Sequence, residues 1–440
     1  MKSHRPHSGQ ALVVMLALMA CLLGAFLLVF NVGQVVNDKI KLTNAADAAA
    51  YSAAAWEARS LNFQAYLNRA MVANEVATAQ LVSLRSWAQY VDTLTTNADR
   101  ITRYIPPLAA PMRALAQGWG RINAGMQRAL PPMEAALSLW NTQALSTAQS
   151  VAHQQALLAA ADLVQHVAVA NEPRAQVAAA SRVLQVRNAE VWQHNFTAKY
   201  QRGGRDLARY TRLLADSRDG FSRSRRNDLP VSLPLISLPR RGGTDLLGEY
   251  SWRGVDTMSL HLDLLLDHVE TPLGWGAAEQ RRRVVTQRGE HGGSISRNPR
   301  ASRLAQRQYR PAGSYQGVPE IRDVVTPGRS GARSLLYSVA LQLPERSIAT
   351  ADRLLAPAGL AAADGQLESL APAYAGNGLH ALGSAEVYFQ RPAARLDGRE
   401  EYPSLFNPYW QVRLTATPAS ERSVIAPLRG LGADPYAVLP

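Results

Sequence analysis

Lysine is nearly missing from this 440-residue chain, occurring only at positions 2, 39, 41 and 199. No Schiff-base or phosphate-cradling lysine can therefore lie in the second half. Cysteine occurs once, as Cys21, so no disulfide forms within the chain and thiol chemistry has no second partner. Proline is absent from residue 7 to residue 105, a long window in which nothing breaks a helix. Also missing are a Gly-x-Ser-x-Gly elbow, a His-Glu-x-x-His helix, a Gly-x-Gly-x-x-Gly turn and a Gly-Lys-Ser/Thr loop. Asp263 with Asp267, and Glu400 with Glu401, are close in sequence without a cleft to set their separation. His153, His166 and His194 have no ligand spacing. The expectation is a protein that is not an enzyme and holds no cofactor or metal.

Charge is one-sided. The formal net charge is +13 and is carried almost wholly by arginine. Without a reading motif, this excess does not point to nucleic acid, and none is expected as a partner.

What is present begins with Ala11–Phe30, which holds no charged residue. At ~1.5 Å per residue such a run spans roughly 30 Å, the hydrocarbon thickness of a bilayer. Leu18-Met19-Ala20-Cys21 loosely matches a lipoprotein signal, but nine apolar residues follow Cys21 where a lipidated chain turns polar. A retained anchor is the better reading, with Cys21 a small apolar residue in it. Lys2 and Arg5 precede the span without an acid, whereas Lys39 and Lys41 follow it beside Asp38 and Asp47. That asymmetry favours an N-terminus inside.

The expected organisation is a cytoplasmic basic start (1–10), a transmembrane helix (11–31), an alanine-rich stalk helix (32–105), a helical bundle (106–220) and a β-containing module (221–440). In fold terms this is a single-pass membrane helix continuing into a stalk and bundle, followed by an α+β module. Along the stalk, Ala46, Ala50, Ala54 and Ala58 recur at every fourth position and form a small-residue stripe. Such a stripe lets another helix approach closely, or merely favours helix and packs within one chain. Asn44, Ala46, Asp47, Ala50, Ala54 and Ala58 are the candidate helix-packing interface. Asn62, Gln64, Asn68, Asn74 and Glu75 interrupt the hydrophobicity and read as a solvated face, with inter-helix hydrogen bonding as the alternative.

Prolines at 106–107, 131–132 and 173 divide the next region into expected helices 108–129, 133–170, 174–201 and 204–218. Leu137, Trp140, Ala144, Ala148, Val151, Gln155 and Leu158 form its expected seam against the stalk. Beyond Phe221, Met258–Leu266, Ser334–Leu343, Ala385–Gln390 and Trp410–Thr417 alternate as strands, and Val231–Leu238 is at best an edge strand. Residues 276–333 read as a mobile basic Gly/Arg loop, with nine arginines between 281 and 310 against the single Glu290. Arg281, Arg282, Arg283, Arg300, Arg303 and Arg307 are candidate contacts for anionic lipid, polysaccharide or an acidic partner, with a merely solvated insertion as the alternative.

Ser8-Gly9-Gln10-Ala11-Leu12-Val13, the span after it, and Leu42-Thr43-Asn44-Ala45-Ala46-Asp47-Ala48-Ala49-Ala50 resemble the Tad-type (Flp) pilus-assembly proteins of the TadE/TadG-like kind. The run Ala58–Glu75, Ala385–Phe389 and Leu405–Gln411 resembles the larger TadG-like members. The resemblance implies a bacterial inner-membrane component of a Tad pilus or related secretion apparatus. It would be minor-pilin-like or an assembly support, with a periplasmic body and pilin-like or pilus-assembly partners. Counting from Gly9, Val14 stands where a processed pilin has glutamate, and no metal-dependent adhesion motif of Asp-x-Ser-x-Ser type is present. A different class also fits: a membrane-tethered adhesin or envelope-binding module using the basic loop.

Overall fold

The computed structural model describes residues 10–200, 205–229, 235–264, 267–308, 311–325, 334–344, 347–348, 350, 378–399 and 401–425. The basic start with Gly9, the first residues of the expected edge strand (231–234) and the end of the basic region (326–333) lie outside the described residues.

The apolar span does not end as a separate element. Helix α1 (Gln10–Thr102) is continuous for 93 residues, about 140 Å at the ordinary helical rise. It stops where the sequence requires, since Ile105 is extended (φ −116°, ψ 96°) ahead of Pro106-Pro107. Helix α2 (Pro106–Leu139), a π-helical turn (Trp140–Leu145) and helix α3 (Ser146–Asn171) then run back along α1. Their antiparallel register is fixed by Asn123 on Asp92, Gln127 on Arg85, Asn141 on Asn74 and Gln149 on Asn68.

Two expectations about this hairpin are corrected. Pro131 and Pro132 lie inside α2 without ending it. A proline in a helix interior costs about 3 kcal/mol, and here α1 holds the helix on both sides of the pair. Gln127 Nε2 donates to the Arg85 carbonyl at 3.0 Å, and Arg85 forms a buried ion pair with Glu134 at 2.9 Å. The expected seam is also rotated. Trp140, Val151 and Leu158 are exposed, and the face against α1 is Gln149, His153, Ala156, Ala160, Val164 and Ala168. The π-helical turn inserts an extra residue per turn and shifts the phase of everything after it.

The single helix expected at 174–201 is instead strand β1 (Gln176–Val177), helix α4 (Ala179–Glu190), a second π-helical turn (Val191–Phe196) and strand β2 (Thr197–Lys199). Helix α5 (Arg205–Ser217) follows. The strand-rich part begins with β3 (Arg225–Leu229), β4 (Ile236–Leu247), β5 (Ser251–Leu264) and β6 (Asp267–Arg281), an antiparallel sheet in chain order. Strand β4 is internal, paired on one side to β3 and on the other to β5; its ladder to β5 skips Leu238 and Pro239, where proline offers no donor.

The basic region is not a bare loop. It ends β6, turns at His291–Gly293, and forms helices α6 (Ser294–Arg297) and α7 (Pro299–Gln308). Ala301 and Ala305 bury one side of α7, with Ala305 clustered on Val255 and Ala277, while the arginines face outward. An arginine-rich segment can dock when its small residues share a face.

Strand β7 (Arg322–Val324) pairs with β2, and β8 (Ser334–Leu343) lies between β1 and β9 (Leu379–Phe389), which pairs with β10 (Trp410–Leu414). Helix α8 (Ala419–Ile425) packs on α4. Because β1 and β2 come from the helical region, that region and the strand-rich module interlock. The core is α1 itself: α2 and α3 cover one side, and both four-stranded sheets cover others.

Candidate functional site: the anchor helix and its small-residue seam

Among the described residues α1 has no neighbour from Ala11 to Phe30, and its side chains there are exposed or half exposed. From Leu42 onward most of its circumference is enclosed. Ala46, Ala50 and Ala54 have no exposed surface, and Ala58 almost none. Their cover is this chain's own: Ala156, Ala160, Val164 and Ala168 of α3 on one flank, and β8 and β9 on the other. Alanine allows that approach, and Gly383 of β9 completes it. A Cβ at Gly383 would overlap the Ala46 carbonyl group. Further along α1 the second sheet repeats the device, with Gly276 of β6 seated on the backbone between Ser86 and Tyr90. Of the candidate interface, only Asn44 is exposed and Asp47 half buried. Burial without a compensating charge raises the Asp47 pKa. Val36, Ile40, Asn44, Asp47 and Tyr51 share an outward edge at three-to-four spacing, continuous with the bare span.

Of the polar residues of the stalk, Gln64, Asn68 and Glu75 are buried rather than solvated, and Asn62 and Asn74 are half buried. The Asn62 amide exchanges two 3.0 Å hydrogen bonds with the Trp410 backbone. Asn68 donates to the carbonyls of Arg322 and Leu405 and accepts from Gln149. Glu75 accepts from Tyr315 Oη at 2.6 Å, Trp252 Nε1 at 2.9 Å and Asn141 Nδ2 at 3.1 Å. Ser86 donates to Asp256, which pairs with Arg225 at 2.7 Å. These groups form a column that ties strands and loops from the far end of the chain to α1. Desolvation raises the Glu75 pKa against its three donors, and lifts Glu57, which has one donor in Asn188, to about 8. His153, stacked on Trp192, is pushed down to about 3 by burial and by Arg322. The one available signal was positional: Gln64, Asn68 and Glu75 follow one another at spacings of four and seven, like core residues.

The candidate anion-contact arginines are dispersed. Arg281 lies 3.7 Å from Glu279, Arg282 donates to the Gln316 carbonyl, Arg283 stacks over Tyr250, and Arg300 donates to the Glu270 carbonyl. Arg303 and Arg307 project from α7, and Arg303 lines a cavity. Among the described residues no group of three or more His, Cys, Asp or Glu is placed to hold a metal ion.

The bare span and the alanine exit coincide with a known family. Residues 9–55 match the model of the Flp pilus-assembly TadE/G-like family. Residues 9–55 are a TadE/G-like segment. It links the chain to a Tad-related role in pilus assembly, and its apolar helix fits a membrane anchor. No curated protein and no solved structure matches the chain. The enclosed body that follows the TadE/G-like segment therefore has to be read from its own geometry.

Proposed function

We propose that this chain is a single-pass, inner-membrane support component of a Tad/Flp pilus or related secretion apparatus, minor-pilin-like in its anchor and not an enzyme. Its N-terminus is cytoplasmic and its bulk periplasmic. It contacts pilin-like helices through the bare span and the outward edge Val36, Ile40, Asn44, Asp47 and Tyr51. In this reading Ala46, Ala50, Ala54 and Ala58 serve the contact indirectly, by fixing α1 in the body so that the edge is presented in one orientation.

One observation carries the reading: among the described residues, α1 is uncovered along the span of the TadE/G-like segment, then keeps an exposed edge once its own chain closes round it. A lipid-embedded apolar helix is exchanged at low cost only with another apolar environment, such as a neighbouring span. The test is site-specific photo-crosslinking in piliated cells. A crosslinker at Ile40 or Asn44 should capture a small pilin-like protein, whereas one at Ala50 should give only products within the chain. Ile40→Arg should reduce piliation without lowering the melting temperature of the purified protein. Normal pili in Ile40→Arg cells, together with no adduct at Ile40 or Asn44, would overturn the proposal.

A further inference from the structure

The basic region builds a cavity that the pilus reading does not use. Its walls come from β5, from the segment between β6 and α6, and from α7, and its volume is about 550 Å³. Cavities of roughly 300–1,000 Å³ hold small ligands. Three arginines line it: Arg253, Arg288 and Arg303. Arg253 is paired with Glu279 at 2.8 Å, and Glu279 is occupied further by Ser251 at 2.6 Å. Arg288 and Arg303 form no ion pair or hydrogen bond among the described residues.

Of the neighbouring carboxylates, Asp245 and Glu270 are already engaged, and the exposed Glu290 is not part of the lining. Asp245 pairs with Arg218 at 3.0 Å and accepts from the His291 backbone at 2.7 Å. Glu270 accepts from the first backbone N–H groups of α7, at Arg300 (2.7 Å) and Ala301 (3.1 Å). The cavity lining therefore holds two arginines without a described counter-ion and no carboxylate, and the helix terminus is not the source of its charge.

The second observation is His291. Its side chain is 1% exposed and lines the cavity, and its Nε2 has no hydrogen-bond partner among the described residues. Its Nδ1 is 3.5 Å from Asp245 Oδ2, too long for a good hydrogen bond. A buried ring nitrogen without a partner costs free energy unless something supplies one. Two left-handed glycines, Gly292 (φ 64°) and Gly293 (φ 85°), turn the chain beside the ring. A Cβ at Gly289 would meet His291 and Asp245 at 2.7–2.8 Å. The amides of Gln287 and Gln306 complete a polar lining without an aromatic platform.

We infer that this cavity binds a small anionic saccharide, its phosphate or carboxylate held by Arg288 and Arg303 and its hydroxyls by His291, Gln287 and Gln306. Guanidinium groups grip either anion through paired N–H donors, and neutral amides with an imidazole suit hydroxyl groups.

Isothermal titration calorimetry on the full-length protein in detergent, with glucose 6-phosphate, galacturonate and glucose as probes, tests this. Saturable binding of at least one anion is expected, with glucose undetected, and the stronger of the two identifies the charged group. Arg288→Gln/Arg303→Gln, both exposed positions, should weaken binding at least tenfold while Arg307→Gln leaves it unchanged. Absence of saturable binding by either anion at millimolar concentration overturns the inference. So does equal loss in Arg307→Gln, which would mark diffuse surface attraction, or equal binding of glucose.

Discussion

Asn62 and Trp410 stand 348 positions apart and exchange two 3.0 Å hydrogen bonds, side-chain amide to backbone. By this contact the start of β10 is paired to α1 as though the helix were a neighbouring strand. Asn62→Leu removes both partners and leaves the Trp410 N–H and C=O without them. An unsatisfied buried group costs about 1–3 kcal/mol, so a loss in that range is expected, with a lowered melting temperature. Asn62→Asp keeps one acceptor and should fall between. A melting curve unchanged in Asn62→Leu would remove Asn62 from the column that holds the body together.

The close approach of Gly383 to Ala46 makes a second prediction. Gly383→Val has to push β9 away from α1, and overpacking of this kind costs about 1–3 kcal/mol. Ala50→Leu should act alike, because Ala50 is fully enclosed by its own chain. Both should reduce accumulation and thermal stability before any partner is involved. Thermal denaturation of the purified variants checks this: wild-type stability in Ala50→Leu would mean that the seam opens readily.

Arg85 and Glu134 form an ion pair with side chains 4% and 0% exposed. Burial outweighs the attraction of Arg85 and raises the Glu134 pKa, so the pair is a costly one to leave half made. Glu134→Ala strands a buried guanidinium and should cost about 3–5 kcal/mol in chemical denaturation, whereas the double change Arg85→Met/Glu134→Leu should lie near wild type. A Glu134→Ala variant as stable as the double variant would contradict this.

Stability should depend on pH through Glu57 and His153. The folded chain holds the Glu57 proton up to about 8, whereas an ordinary glutamate releases it near 4.5. Between those values only the folded state carries that proton, so stability falls as pH rises and then levels. His153 has the opposite slope: unfolded, it binds a proton below 6.5, and folded, only below about 3, so its contribution rises from pH 3 to 6.5. Above 6.5 the Glu57 slope remains, with Glu75 and Glu134 raised in the same direction. The melting temperature should therefore drop between pH 6.5 and 8, and less steeply in Glu57→Gln. An equal drop in both proteins would show that Glu57 has no part in it.

Much was legible from the chain. The uncharged run Ala11–Phe30 and the proline-free window dictated one long helix from the span outward, and strand β8 falls on the alternating run Ser334–Leu343. The Asn44–Ala50 exit carried the TadE/G-like resemblance to the segment where the family matches. These are local properties, set by length, periodicity and the conformational limits of proline.

What tertiary structure alone decided is which neighbour each face meets. Helical period marks Ala46, Ala50 and Ala54 as one stripe, but whether a partner's helix or this chain's own β9 covers it depends on residues more than 300 positions away. Separations from 66 to 348 positions hid the role of Asn62, Asn68 and Glu75, because an amide or carboxylate in a helix reads as solvated until its remote donors and acceptors are in place. Tertiary structure also decided that Arg303, one of the six candidate arginines, lines a cavity. Composition records how much charge a segment holds; only packing determines which charges are cancelled and which are left facing an open space.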